Sequence, residues 1–220
     1  MFTGPNIVTN GLEILLDNKN KKSYTGTGDA WTNLINKQSY SGSTLSNPSW
    51  ANNVSQVTIC VLLEKTETLI GYASHPVNKW NSGYTTNSSF VLYHFGDYSP
   101  ETMQDGLLAW YGTTSANGWS QIAGGGYDYR MISGEIAHVC LQYNSNNGGG
   151  QMWINGQKIG ARSGTTGTIG PAPDYGNISV YGPQASGAVK VHKASFYSRE
   201  LTDSEILQNY NAIKHKVIRP

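Results

Sequence analysis

Glu135-Ile136-Ala137-His138-Val139-Cys140-Leu141-Gln142-Tyr143 runs into Asn144-Ser145-Asn146-Asn147-Gly148-Gly149-Gly150, and then into Gln151-Met152-Trp153-Ile154-Asn155-Gly156-Gln157-Lys158-Ile159-Gly160. The first run alternates, with Val139, Leu141 and Tyr143 on one face, which is the period of a strand with one side on a core. The Asn- and Gly-rich stretch tolerates positive φ, as a hairpin connection requires. Asn155-Gly156 between two short apolar runs predicts a second tight turn. This segment therefore predicts consecutive antiparallel strands.

Toward the N-terminus, Val57-Thr58-Ile59-Cys60-Val61-Leu62-Leu63-Glu64 is rich in β-branched residues and apolar on both faces, so it predicts a central strand. Residues 68–73 are expected to pair beside it, and 89–96 and 106–111 to form the next two strands. Residues 11–17 predict the first strand. Residues 23–29 are dense in turn formers, and Trp31, Leu34 and Ile35 are expected to plug a loop into the core. Toward the C-terminus, 177–182 and 187–197 complete the strand set. One helix is predicted over about 202–214, where Thr202-Asp203-Ser204-Glu205 forms a capping box and Ile206, Tyr210 and Ile213, with Leu207 beside them, fall at helical spacing. So short a helix is marginal alone and must dock on the strands. The fold class expected is all-β: a two-sheet antiparallel jelly-roll sandwich with one short C-terminal helix, as a single domain over 1–220.

Composition narrows the function. Gly is abundant at 26, Tyr at 14 outnumbers Phe at 4, and charged residues are 13% of the 220, which fits short strands joined by polar turns. A net charge of +1 argues against nucleic acid as a partner, and the basic runs at 19–22 and 214–219 read as solvated ends of elements. No apolar run approaches the roughly 20 residues of a membrane helix, and the first residues show no export signal, so folding in a cytoplasm is expected. In that compartment Cys60 and Cys140 read as small buried hydrophobes, with a disulfide left open because sandwiches bring distant strands together.

The chain resembles the laminin-G-like branch of the concanavalin A-like jelly rolls, in the versions found in tailed-phage virion proteins. Three stretches carry the resemblance: the opening from Gly4 to Asp17 with Ser23 to Leu34 behind it; Ala137 to Tyr143 followed by Met152 to Gly156; and the close from Ala194 to Asn211, a final strand running into a capped helix. The resemblance implies a non-enzymatic virion structural protein. The first expectation is a capsid decoration or cement protein on the head surface, made in the host cytoplasm, partnered by the major capsid protein or other virion proteins and self-associating, for instance as a trimer. The alternative is a glycan-binding adhesin, associated with a tail or fibre, whose partners are surface glycans. A glycosidase ranks third.

Catalytic signatures are few. Glycosidases need two carboxyl groups about 5–10 Å apart across a bond. Glu64 has no acid at same-face spacing, Glu67 lies on the opposite parity, and Glu101 and Asp105 flank a loop. No Gly-x-Ser-x-Gly elbow occurs, and His75, His94, His192 and His215 show no metal-ligand spacing, while His138 reads as a packed strand histidine. No metal or cofactor is expected. Laminin-G-like domains imply at most a structural calcium, for which Asp97, Asp105, Asp128 and Asp174 are the loop acids, none in a dense ligand run. The remaining candidates are aromatic: Trp80, Tyr84, Trp110, Trp119, Tyr127 and Tyr129, set among Ser, Asn and Gly, suit either sugar stacking or protein contact.

Overall fold

A computed structural model describes residues 6–27, 30–40, 44–45, 48–67, 73–79, 90–96, 105–112, 119–121, 129–147, 149–162, 167–169, 177–180 and 188–220. The first sheet contains β1 (Leu12–Asp17), β14 (Val189–Tyr197), β5 (Gln56–Lys65), β10 (Ile136–Asn144), β11 (Gly149–Ile154) and β12 (Gln157–Arg162), in that spatial order. The second contains β4 (Thr44–Leu45), β13 (Ile178–Val180), β6 (Ala73–Lys79), β7 (Phe90–Phe95), β8 (Leu107–Gly112) and β9 (Trp119–Gln121). Trp31–Thr32 (β2) and Ser39–Tyr40 (β3) make a small separate pair. Among the described residues every strand pairing is antiparallel.

The core lies between the sheets. Alternate residues of the first sheet, among them Ile14, Leu16, Ile59, Val61, Leu63, Val139, Leu141, Tyr143 and Phe196, meet Val77, Leu92, Leu107, Ala109, Ile178 and Val180 of the second. The strand β5 is interior, bonded to β10 on one side and β14 on the other, and it is apolar on both faces because Ile59, Val61 and Leu63 enter the core between the sheets while Cys60 packs on the outer face against Leu201 and Ile206. Residues 68–72, expected beside it, lie outside the described residues. The strand that follows them, β6, belongs to the opposite sheet, so the neighbours of β5 come from far along the chain instead. Asn155 (φ 52°) and Gly156 (φ 79°) both sit in the left-handed region, as a tight hairpin turn demands. Gly156 is required twice over: a Cβ there would lie 2.8 Å from Cδ1 of Tyr210.

The helix α1 (Asp203–Ile213) starts where its capping box places it. The Glu205 amide donates to the Thr202 hydroxyl at 3.3 Å, and the Thr202 amide donates to the Glu205 carboxylate at 2.9 Å. Arg199 adds a two-point pair to the same carboxylate, at 2.8 and 2.6 Å. The helix lies on the outer face of the first sheet, burying Ile206 and Ile213 while Leu207 stays exposed. Its buried Asn209 accepts from the Val8 amide (2.8 Å) and donates to the Tyr197 hydroxyl (3.0 Å), tying the N-terminal segment, β14 and the helix together. Trp31 is buried as expected, but Ile35, in the turn that joins β2 to β3, is exposed.

Under α1 the structure corrects the reading of the cysteines. Cys60 and Cys140 are directly opposite in the β5–β10 register, with Cα atoms 4.1 Å apart, and they form a disulfide. They are buried as expected, but neither is a free thiol. Only the strand register could reveal this, since the residues are 80 apart in sequence.

Candidate functional site

Beyond the end of α1, the same outer face is open. A groove of about 310 Å3 lies over β1, β14, β5 and β10, lined by Asp17, Asn18, Lys19, Leu62, Glu64, Ile136, His192, Lys193 and Lys216. Leu62 and Ile136 supply its apolar part, and the remaining side chains are polar or charged.

A β-bulge organises it. The β14–β5 register shifts between Val191 and Lys193, so that Val191 pairs with Leu63, Lys193 pairs with Leu62, and His192 is the extra residue. Two successive side chains, His192 and Lys193, thereby reach the groove, which a regular strand would not allow.

His192 is held from both ring nitrogens. Its Nε2 lies 2.5 Å from Glu64 Oε2, and its Nδ1 lies 2.6 Å from the Asn18 side-chain amide. With the Asn18 amide nitrogen as donor, Nδ1 is the acceptor and Nε2 carries the proton toward Glu64. The Asn18 backbone amide also donates to the His192 carbonyl at 2.9 Å, fixing the end of β1 against the bulge.

On the facing wall, Asp17 Oδ1 accepts from the Lys19 amide at 2.9 Å in a local turn. Its Oδ2 faces two ammonium groups, Lys193 Nζ at 3.8 Å and Lys216 Nζ at 3.9 Å. Burial pushes the Lys193 pKa below the ordinary lysine value; Asp17 pulls it back up, and Lys216 adds to the lowering. Asp17 and Glu64 stand on strands separated by one intervening strand, and the register sets Asp17 level with Leu62, two residues along β5 from Glu64.

Of the aromatic candidates, the one whose side chain is described, Tyr129, does not line the groove. Trp80, Tyr84 and Tyr127 lie outside the described residues. The backbones of Trp110 and Trp119 are placed in β8 and β9, Trp110 opposite Val91 and Gln121, and Trp119 opposite Gly112. Tyr129 is half-buried and packed against the core. Its hydroxyl donates to the buried Glu135 carboxylate, its ring lies under Arg219 at 5.4 Å, and burial together with Glu135 pushes its pKa well above the ordinary tyrosine value. Tyr129 is thus a bracing residue between the β10 start and the C-terminal segment. It is not an open stacking platform.

Of the loop acids weighed for calcium, Asp105 is committed to Lys65 at 2.6 Å, and Asp97, Asp128 and Asp174 lie outside the described residues. Cys60, His138 and Cys140 converge within 4.8 Å, but the disulfide leaves no thiolate to ligate a metal. His138 is packed under α1, stacked at 6.1 Å on Tyr210.

The groove leaves little trace in the sequence. Glu64 was visible as an acid without a same-strand partner, His192 as a histidine without metal spacing, and Lys216 as part of a solvated tail. The one available signal was His192-Lys193 interrupting the alternation of Val189, Val191 and Ala194, which marks a bulge.

No protein-family model matches the chain, and no curated protein matches its sequence. Solved structures do match its fold. A Trypanosoma rangeli sialidase in complex with the inhibitor DANA superposes with a TM-score of 0.58 at 16% identity, over 93% of this chain and 33% of the sialidase. Domain 4 of AbnA, a GH43 extracellular arabinanase from Geobacillus stearothermophilus, solved with arabinotriose, superposes with a TM-score of 0.55 at 13% identity, over 91% of this chain and 98% of that domain. The chain therefore spans about a third of the sialidase. These similarities show a shared β-sandwich of the jelly-roll kind.

Proposed function

We propose that this chain is a non-catalytic glycan-binding β-sandwich domain that holds its ligand in the groove over the β14 bulge. One observation carries the reading: the groove combines carboxylate and amide acceptors (Asp17, Glu64, Asn18), the last two positioned by His192, with ammonium donors (Lys193, Lys216) around apolar Leu62 and Ile136. A hydroxyl-rich ligand presents donors and acceptors on one small frame with apolar C–H faces, and this lining answers all three. The resemblance in fold to a domain solved with arabinotriose supports the same direction without fixing the site. The disulfide is in keeping with a domain that works in an oxidising place, where glycans are displayed.

Asp17 and Glu64 share the groove, the arrangement a glycosidase reading asks for. Each already pairs within the protein, Glu64 through Oε2 with His192 and Asp17 with the two lysines and the Lys19 amide, an arrangement that suits holding a ligand more than attacking it. Binding without turnover is the reading these commitments support. The virion decoration role, with a capsid partner, a trimeric state and a place on the capsid surface, rests on the sequence resemblance alone. Neither solved structure described above is a virion protein.

The test is a glycan array probed with the full chain and with His192→Ala. Retention of the wild type on a subset of glycans, lost in the variant, supports the groove. Absence of retention, together with saturable cosedimentation on capsids, would overturn the proposal in favour of decoration. Release of reducing sugar from a retained glycan would overturn its non-catalytic part.

A further inference from the structure

The charges on the Asp17 wall do not balance. Lys193 and Lys216 both converge on the single oxygen Asp17 Oδ2, at 3.8 and 3.9 Å, beyond ordinary hydrogen-bond length. Lys193 is largely buried, with 14% of its side chain exposed, so its charge is poorly screened by water. Across the groove as a whole, Lys19, Lys193 and Lys216 face Asp17 and Glu64, and Glu64 is already spent on His192. Two part-buried ammonium groups that share one distant carboxylate keep donor capacity, and an excess positive charge, directed into a concave site.

Resting on the glycan-binding reading above, we propose that the groove selects a carboxylate-bearing sugar, such as a uronic acid. The ligand carboxylate enters between the Lys193 and Lys216 ammonium groups, and ring hydroxyls donate to Glu64 Oε1 and the Asn18 amide oxygen, both of which His192 holds in place. The charge-assisted pair supplies the discrimination against neutral sugars, because displacing water from two ammonium groups without supplying an anion would leave them only the one distant Asp17 carboxylate. Asp17 is the groove's built-in competitor: it occupies the lysines in the empty site and repels the incoming anion.

This yields effects of opposite sign on two neighbouring residues. Titration calorimetry of the full chain with D-glucuronate, D-glucose and acetate is the experiment. Glucuronate should bind saturably, and glucose at least about tenfold more weakly. Lys216→Met, and separately Lys193→Met, should weaken glucuronate by about tenfold or more, whereas Asp17→Asn should tighten it, and added salt should weaken the wild type. The thermal midpoint of each variant establishes that it is folded, and Asp17→Asn cannot gain affinity by unfolding. Equal binding of glucose and glucuronate would overturn the anion selectivity and leave the groove as a sugar site. Acetate binding as tightly as glucuronate would overturn the sugar part and leave an anion pocket. No binding of any of the three, in a chain that is retained on a glycan array regardless of His192, would overturn both.

Discussion

The outer face of the first sheet is two surfaces on one set of strands. At one end, β14, β5 and β10 turn Tyr197, Cys60 and Cys140 toward α1, and with Trp153, Leu201 and Ile206 these form a dry, disulfide-bridged layer. At the other end the same strands present Lys193, Glu64 and Ile136 to an open, charged groove. Leu62 and Lys193 sit on the border, lining both the groove and the small gap beneath the helix. The sheet itself does not change; the helix's reach does. α1 ends at Ile213, and the chain turns through Lys214–Lys216 to bring Lys216 over the groove wall. Packing energy is concentrated where the helix covers the sheet, and unsatisfied donor capacity where it stops. A stable covered end can support a groove whose charges contribute little to folding.

If that division is right, perturbing the covered end should cost stability and perturbing the groove should cost binding. The largest effect should come from the disulfide, which closes a span of 80 residues. Loop-closure entropy puts it at about 4 kcal/mol, so Cys60→Ala/Cys140→Ala should lower the urea midpoint strongly, and a midpoint unchanged by reductant would show that the bridge is dispensable. Next, Ile206→Ala under the helix, at 0% exposure, should lose about 3 kcal/mol in the same assay. An effect below about 1 kcal/mol would mean the helix is only loosely docked.

Acid sharpens the contrast. Burial pushes the His138 pKa down to about 3, with Lys193 adding to it, from an ordinary 6.5. Burial pushes His94 down to about 4, with Asp105 opposing and Lys65 assisting. Both imidazoles are therefore neutral when folded and bind protons more readily when unfolded. Their contribution is present above about pH 6.5 and is lost as pH falls toward 4 and 3. Glu205, held down to about 2 chiefly by Arg199, adds a loss that begins near 4.5 and continues toward 2. Urea midpoints at pH 7 and 4.5 should fall steeply in the wild type and less so in His138→Gln; equal slopes would remove His138 from the account.

Smaller still, Thr202→Ala should cost about 1 kcal/mol by leaving the Glu205 amide without its cap. Smallest of all, Lys216→Met should change stability by less than about 0.5 kcal/mol, since its pair with Asp17 is long and part-exposed. A large loss there would collapse the distinction between the two ends.

Much of the first sheet was legible. The alternation in β10, the Asn155-Gly156 turn and the Thr202 cap are local signals, each written in consecutive residues whose backbone preferences decide the outcome. The apolar run of β5 announced an interior strand for the same reason. Its neighbours were not legible, because β10 and β14 reach it through long connections that carry no pairing code. The groove was illegible on the same grounds. The aromatic candidates drew attention by composition, and Tyr129, the one whose side chain is described, turned out to brace Glu135. The charged residues that do converge were scattered and individually unremarkable.

Local sequence is enough to make this chain an all-β sandwich closed by a capped helix, because strand period, turn chemistry and capping act over a few residues. Tertiary structure alone decided that Cys60 meets Cys140, and that Asp17, Glu64, the bulged His192-Lys193 pair and Lys216 share one groove. Those encounters depend on strand order and register, which are set by how the whole apolar face is buried and not by any segment's own preference.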